Sequence, residues 1–246
     1  NGALSSAGLL AINSTGSVEL NEDVNVALTS IISVNNDAED ANSDITINNV
    51  FNSIGTTQLL ADGGIKTTAD LNIGDDQTVS NLIINNGDYV VLESNLGVTG
   101  LLNIDALGAV KLSNNMLIQV GETADIDAAS FAMASNSTLN VKGATVISTQ
   151  GDTTLHNVNV ESDIKVGADN LTINGVVDAS LGKLTSITSY SASSTVVNGK
   201  VTASGNVDIN SLANTEINGT VNSDANLTIN ANTGLIANAA LSAADD

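Results

Sequence analysis

Along the chain, short runs alternate apolar and polar residues and then stop at Asn, Asp, Gly or Lys. Leu10-Ala-Ile-Asn13, Ile45-Thr-Ile-Asn48, Leu71-Asn-Ile-Gly74, Leu82-Ile-Ile-Asn85 and Leu102-Asn-Ile-Asp105 share that form. So do Leu139-Asn-Val-Lys142, Leu171-Thr-Ile-Asn174, Val207-Asp-Ile-Asn210 and Leu227-Thr-Ile-Asn230. A period of two puts successive apolar side chains on one face of an extended chain, so these runs predict strands, not helices. From Leu102 onward the copies start 37, 32, 36 and 20 residues apart. Weaker copies such as Leu155-His-Asn-Val-Asn-Val160 and Val196-Val-Asn-Gly-Lys-Val201 occupy the long gaps. A unit of roughly 16–20 residues accounts for the whole set, and such a repeat signals a solenoid.

The fold expected is all-β: a parallel β-solenoid, or β-helix, forming a single elongated domain over 1–246. At that period it has on the order of 13 turns, and stacking at about 4.8 Å gives a rod roughly 60 Å long. Leu, Ile and Val point inward in columns, and Asn, Thr, Asp and Ser face water. Asn and Gly at the corners tolerate tight bends, and stacked Asn side chains can form amide ladders. A β-sandwich of short strands is the alternative, but it calls for more aromatic residues and clearer hairpin turns. No linker divides the chain. The polar stretch Ser33 to Ser43 is expected as a loop leaving the rod, and Ala239 to Asp246 as a fraying tail. The Ala-rich stretch Ala124 to Ala134 reads as either a short helix or a turn with a small-residue interior.

Composition narrows the picture. Of 246 residues, 27 are Asp or Glu against 6 basic residues, all Lys, for a formal charge of -21. A chain with no Arg and this much acid cannot neutralise a phosphate backbone, which argues against nucleic-acid binding, and anionic membranes are disfavoured for the same reason. Disorder is excluded by the recurring Val, Ile and Leu. The chain has two Phe, two Met and no Trp, few for an ordinary globular core but enough for a narrow one filled by aliphatic ladders. Pro is absent, as expected of a ladder that uses every N–H. No signal peptide, membrane span or lipidation motif is visible, and no membrane insertion of this segment is expected. A start at Asn1 rather than Met reads as a processed product or a fragment.

Candidate chemistry is sparse. Asp125 and Asp127 lie two apart on one strand face, as a carboxylate pair for glycoside hydrolysis would. With 27 acidic residues such pairs arise by chance. His156 is the only histidine, with no triad partner near it in the sequence, and reads as a solvated strand position. No nucleophile elbow, dinucleotide fingerprint, phosphate loop or zinc-protease motif is present. No catalytic residue and no bound cofactor is assigned, and an enzyme is not expected. Calcium is the better candidate, because hard oxygen ligands abound: Asp75-Asp76 and Asp125 with Asp127 foremost, then Glu22-Asp23, Glu39-Asp40, Asp163, Asp169 and Asp208. The calcium-binding nonapeptide of β-helices does not occur, and Asp62-Gly63-Gly64 only echoes it. Solvated acidic corners remain the alternative. The Asn-X-Ser/Thr sequons at Asn13, Asn136, Asn170, Asn218 and Asn226 match chance in so Asn-rich a chain, and no regular Thr-x-Thr array supports ice binding.

Neither end carries an amphipathic capping helix or a charged plug, so the solenoid is expected either to continue or to stack end to end. The repeated L-x-I-N and L-T-I-N units, the Asn, Thr and Gly enrichment and the missing Cys resemble the β-helical surface proteins of Gram-negative bacteria. These include autotransporter passenger domains, rickettsial surface-layer-type passengers, filamentous haemagglutinin-like adhesins and S-layer proteins. The resemblance is one of repeat style, and no motif selects one family. It implies secretion to the cell surface and a non-catalytic, self-associating structural role in a fibre or lattice. An adhesin stalk or passenger that binds a host receptor or glycan is the second expectation, and a polysaccharide-cleaving β-helix the third.

Overall fold

A computed structural model describes residues 2–34, 43–182 and 187–244. They wind into an all-β parallel solenoid of about 11 turns, with about 20 residues in each. The turns are fewer than the roughly 13 expected, because each takes about 20 residues, the upper end of the expected unit, and carries three strands. The turn beginning at Val201 shows the plan: Val201–Ala203 on face A, Val207–Ser211 on face B and Asn214–Ile217 on face C. Face A is a 12-stranded sheet, and faces B and C together form a 20-stranded sheet. Leu102–Leu112 and Ala124–Met133 run through B and C unbroken, with a register shift between Ala106 and Ala109. Among the described residues no helix is long and apolar enough to cross a membrane.

Successive turns pair in parallel and in register, so each inward position becomes a column. On face A the column runs Val24, Phe51, Leu71, Leu96, Ile118, Leu139 and Val158. On face B it runs Ile32, Leu59, Ile84, Ile104, Ile126, Ile147 and Val166. All of these side chains are buried, and complete burial of one such side chain contributes about 1.5–3 kcal/mol. Inward size varies along one strand: the Ala-rich stretch is a strand whose buried positions run Ala124, Ile126, Ala128, Phe131 and Met133. Leu241–Ala243 pairs with Val221–Ser223, so the expected fraying tail is instead a strand of the last turn. Of the loop expected between Ser33 and Ser43, residues 35–42 lie outside the described residues, as do 245–246.

Polar side chains ladder outside as the apolar ones do inside. The Asn52 amide donates to Asn25 Oδ1 at 2.8 Å, and that of Asn72 to Asn52 Oδ1 at 2.9 Å. At the corner between faces C and A, Asn198 donates to Asn174, Asn218 to Asn198 and Asn238 to Asn218, at 2.9, 3.0 and 2.8 Å. The glycines after three of these Asn stack tightly, and a Cβ on Gly199 would collide with the carbonyl oxygen of Gly175. The corner between faces A and B is three residues long in every complete turn but two. Eight residues, 74–81, fill it after Leu71–Ile73, and seven positions separate Val177–Ala179 from Ile187–Ser191, of which 180–182 are described and 183–186 lie outside the described residues.

The stacked glycine corner predicts that Gly199→Ala destabilises the rod by about 1–3 kcal/mol, the usual cost of overpacking. Gly167, where a Cβ meets nothing within 4 Å, serves as the control. Gly167→Ala should leave the urea midpoint nearly unchanged while Gly199→Ala lowers it.

Candidate functional site

The two long corners stand on the same edge of the rod, five turns apart, and between them face A forms the floor of a groove of about 1010 Å³. Outward positions from successive turns line it in register: Asn72, Gly97, Gln119, Asn140 and Asn159. Asp75, Asp76 and Val79 project at one end, Leu181 at the other, and Lys142 and Glu161 flank the floor. Val79 and Leu181 are 65% and 68% exposed.

The wall at 74–81 is held by its neighbours. Gly74 adopts φ 92°, a left-handed conformation that favours glycine. Asp75 Oδ1 accepts from the Gln77 amide at 3.0 Å, and Thr78 bridges back to Asp75. Thr99, one turn on, fastens the loop twice: its hydroxyl donates to the Thr78 carbonyl at 2.8 Å and accepts from the Ser80 amide at 2.9 Å. Ser80 is buried, its hydroxyl donating to the Ile54 carbonyl. At the far wall, Ser180 N–H donates to Asp178 Oδ1 at 2.8 Å and the Ser204 hydroxyl to the Gly182 carbonyl at 2.8 Å. The described parts of both walls are thus tied to neighbouring turns.

The floor's amide ladder is broken. The amide of Asn72 is committed to Asn52 and that of Asn159 to Asn140, the latter at 2.8 Å. Between these pairs stand Gly97, which has no side chain, and Gln119, whose amide makes no hydrogen bond to another described residue. Asn72 Oδ1 faces the gap and is likewise unpaired among the described residues.

The carboxylates picked out for calcium are not gathered in one place. Asp75 and Asp76 are exposed on the groove wall, whereas Asp125 and Asp127 project from face B two turns further on. Asp127 lies in register with Asp105 of the preceding turn, an acidic pairing that the strand pattern alone does not reveal. Among the described residues no three His, Cys, Asp or Glu side chains converge as a metal site, and Glu39 and Asp40 lie outside those residues. His156 is half-buried at the corner between two strands rather than on a strand face. Burial, with the carboxylates of Asp44 and Asp88 nearby, pushes the Tyr89 phenol above its ordinary value. Its ring fills the space a Cβ on Gly64 would take, which marks a packing role.

No protein-family model, no curated protein and no solved structure matches the chain. What the groove can do therefore rests on its own geometry.

Replacing Thr99 by Val removes both bonds to the wall and leaves the Ser80 N–H without its acceptor. Each unsatisfied buried group costs about 1–3 kcal/mol. Thr99→Val should speed amide exchange at Thr78 and Ser80 selectively, leaving the floor strands protected. Unchanged exchange at Ser80 would show that the wall is held by something else.

Proposed function

We propose that this chain is a non-catalytic structural segment of a secreted, cell-surface fibre or lattice, assembled through lateral contacts between rods. One observation supports this reading above the others. Leu9, Leu28, Ile54 and Val79 lie on the same A–B edge in four consecutive turns and are 58%, 57%, 39% and 65% exposed. Isolated surface aliphatics are ordinary, and Leu107 and Ile236 are exposed elsewhere on the rod, but a row in four consecutive turns along one edge forms a seam that water does not favour. A second rod laid against that edge buries the row. The seam is also compatible with the high charge: at -21, rods repel one another unless apolar burial or a counter-ion offsets the repulsion. Calcium between acidic corners is the counter-ion proposed, with Asp75, Asp76, Asp125 and Asp127 among its oxygen donors.

Negative-stain microscopy with light scattering, in EDTA and in millimolar calcium, tests assembly directly. Ordered filaments or sheets are expected from the unaltered chain, formed more readily in calcium. Leu28→Asp, which places a charge in the seam, should leave short monodisperse rods. Monodisperse rods from the unaltered chain in both conditions would overturn the assembly reading, and equal assembly in EDTA would remove calcium from it.

A further inference from the structure

We propose that the face-A groove binds a neutral oligosaccharide lying along the rod axis, with the gap at Gly97 as its central subsite. Five turns at about 4.8 Å separate the walls, a span of roughly 24 Å that suits an extended chain of several sugar rings.

Gly97 carries the argument. It sits in the middle of a strand, where glycine weakens a sheet by roughly 0.5–1 kcal/mol relative to alanine. Nothing in the fold requires it there. Its φ is not left-handed, and a Cβ would meet only Asn72 Oδ1, at an ordinary 3.8 Å. Asn at this position would have continued the ladder that Asn25, Asn52 and Asn72 begin. An open strand glycine is not by itself a site, as Gly167 on face B shows, but Gly97 both interrupts a ladder and lies on the floor of the groove, where a ligand can approach the backbone closely.

The groups around the gap describe the ligand. Asn72 Oδ1 offers an acceptor, while Gln119 offers both an acceptor and donors. Hydroxyl groups, which donate and accept at once, match such a mixed set. Among the described lining residues Asp75, Asp76 and Glu161 outnumber Lys142, which disfavours acidic sugars. A peptide fits less well. Face A is the middle of a sheet whose backbone groups are paired turn to turn, so no strand can be added there. The described floor presents outward Asn, Gly and Gln rather than apolar anchors. Val79 and Leu181 at the two ends can cover the C–H faces of terminal rings.

The full chain, labelled with nitrogen-15, would be titrated with neutral hexasaccharides: β-1,4-linked glucose, α-1,4-linked glucose and β-1,4-linked N-acetylglucosamine. A galacturonate hexamer and an uncharged hexapeptide are the comparators. At least one neutral sugar should shift the side-chain amide signals of Asn72, Gln119 and Asn140. Gly97→Asn should weaken binding at least about tenfold without lowering the melting temperature, because it fills the gap and extends the ladder. Gly167→Asn, outward on face B in open space, should bind as the unaltered chain does. The proposal is overturned if no neutral sugar shifts these amides, if Gly97→Asn binds undiminished, or if only the acidic sugar or the peptide binds. Assembly is read separately, so rods that bind sugar without associating would retain this site and sink only the lateral-assembly reading.

Discussion

Everything in this rod depends on the pairing of each turn's backbone with the turns before and after it. Once the pairing is parallel and in register, a residue's neighbours are fixed by its position in the turn rather than by its position in the chain. Leu71 meets Phe51 on one side and Leu96 on the other, and the same holds around the circumference. The interior then needs only aliphatic side chains that stack on their own kind. That is how a 246-residue chain manages with two Phe and no Trp, both Phe being fully buried. Pro has no place here, because losing one N–H interrupts a ladder rather than a single contact.

The same repetition governs the polar residues. An outward Asn cannot avoid the residue one turn away, so it either ladders with it or must be compatible with it. Asn174, Asn198, Asn218 and Asn238 satisfy this by passing one amide bond along the corner. Carboxylates cannot do so among themselves, and Asp105 beside Asp127 is a repulsive step in an otherwise compatible column. The only ion pair among the described residues, Lys66 with Glu93 at 3.1 Å, is solvent-exposed and contributes little. Cohesion therefore comes from the columns and ladders, and the charge is a load that they carry.

Much of the fold was legible in the sequence, because alternation exposes strands whichever way they later pair. The L-x-I-N runs fall on faces A, B and C alike, which is why counting them bracketed the turn, about 20 residues, without fixing which strands share a face. Several inward positions carry Thr or Ser, including Thr57, Thr145, Thr153 and Thr195, all buried. They hid strands whose alternation is polar on both faces. The tail was misread for a similar reason: Leu-Ser-Ala at 241–243 has a weak pattern and becomes a strand only because Val221–Ser223 offers it an edge. The groove was harder still. Its floor residues come from five different turns, and they are common residue types with no motif. What could have revealed it was length: once the three-residue corner is known, 74–81 and 180–186 stand out as the two corners that break the rule. Looking for carboxylates led to Asp125 and Asp127, which share a strand face but no enclosure.

Departures from the repeat are where such a fold can hold information. A turn that matches its neighbours presents the same surface as they do and cannot discriminate between partners. A longer corner, a missing side chain or an aliphatic residue on a polar edge each breaks the symmetry at one height along the rod. In this chain three such departures fall together: two extended corners on one edge, an interrupted amide ladder midway between them, and an aliphatic row leading up to the first wall. None is needed for the rod to stand, since the turns on either side manage without them. The costs they carry, a glycine inside a strand and apolar side chains left in water, are therefore not explained by folding. They are the features from which contacts on that edge and the face beside it are proposed.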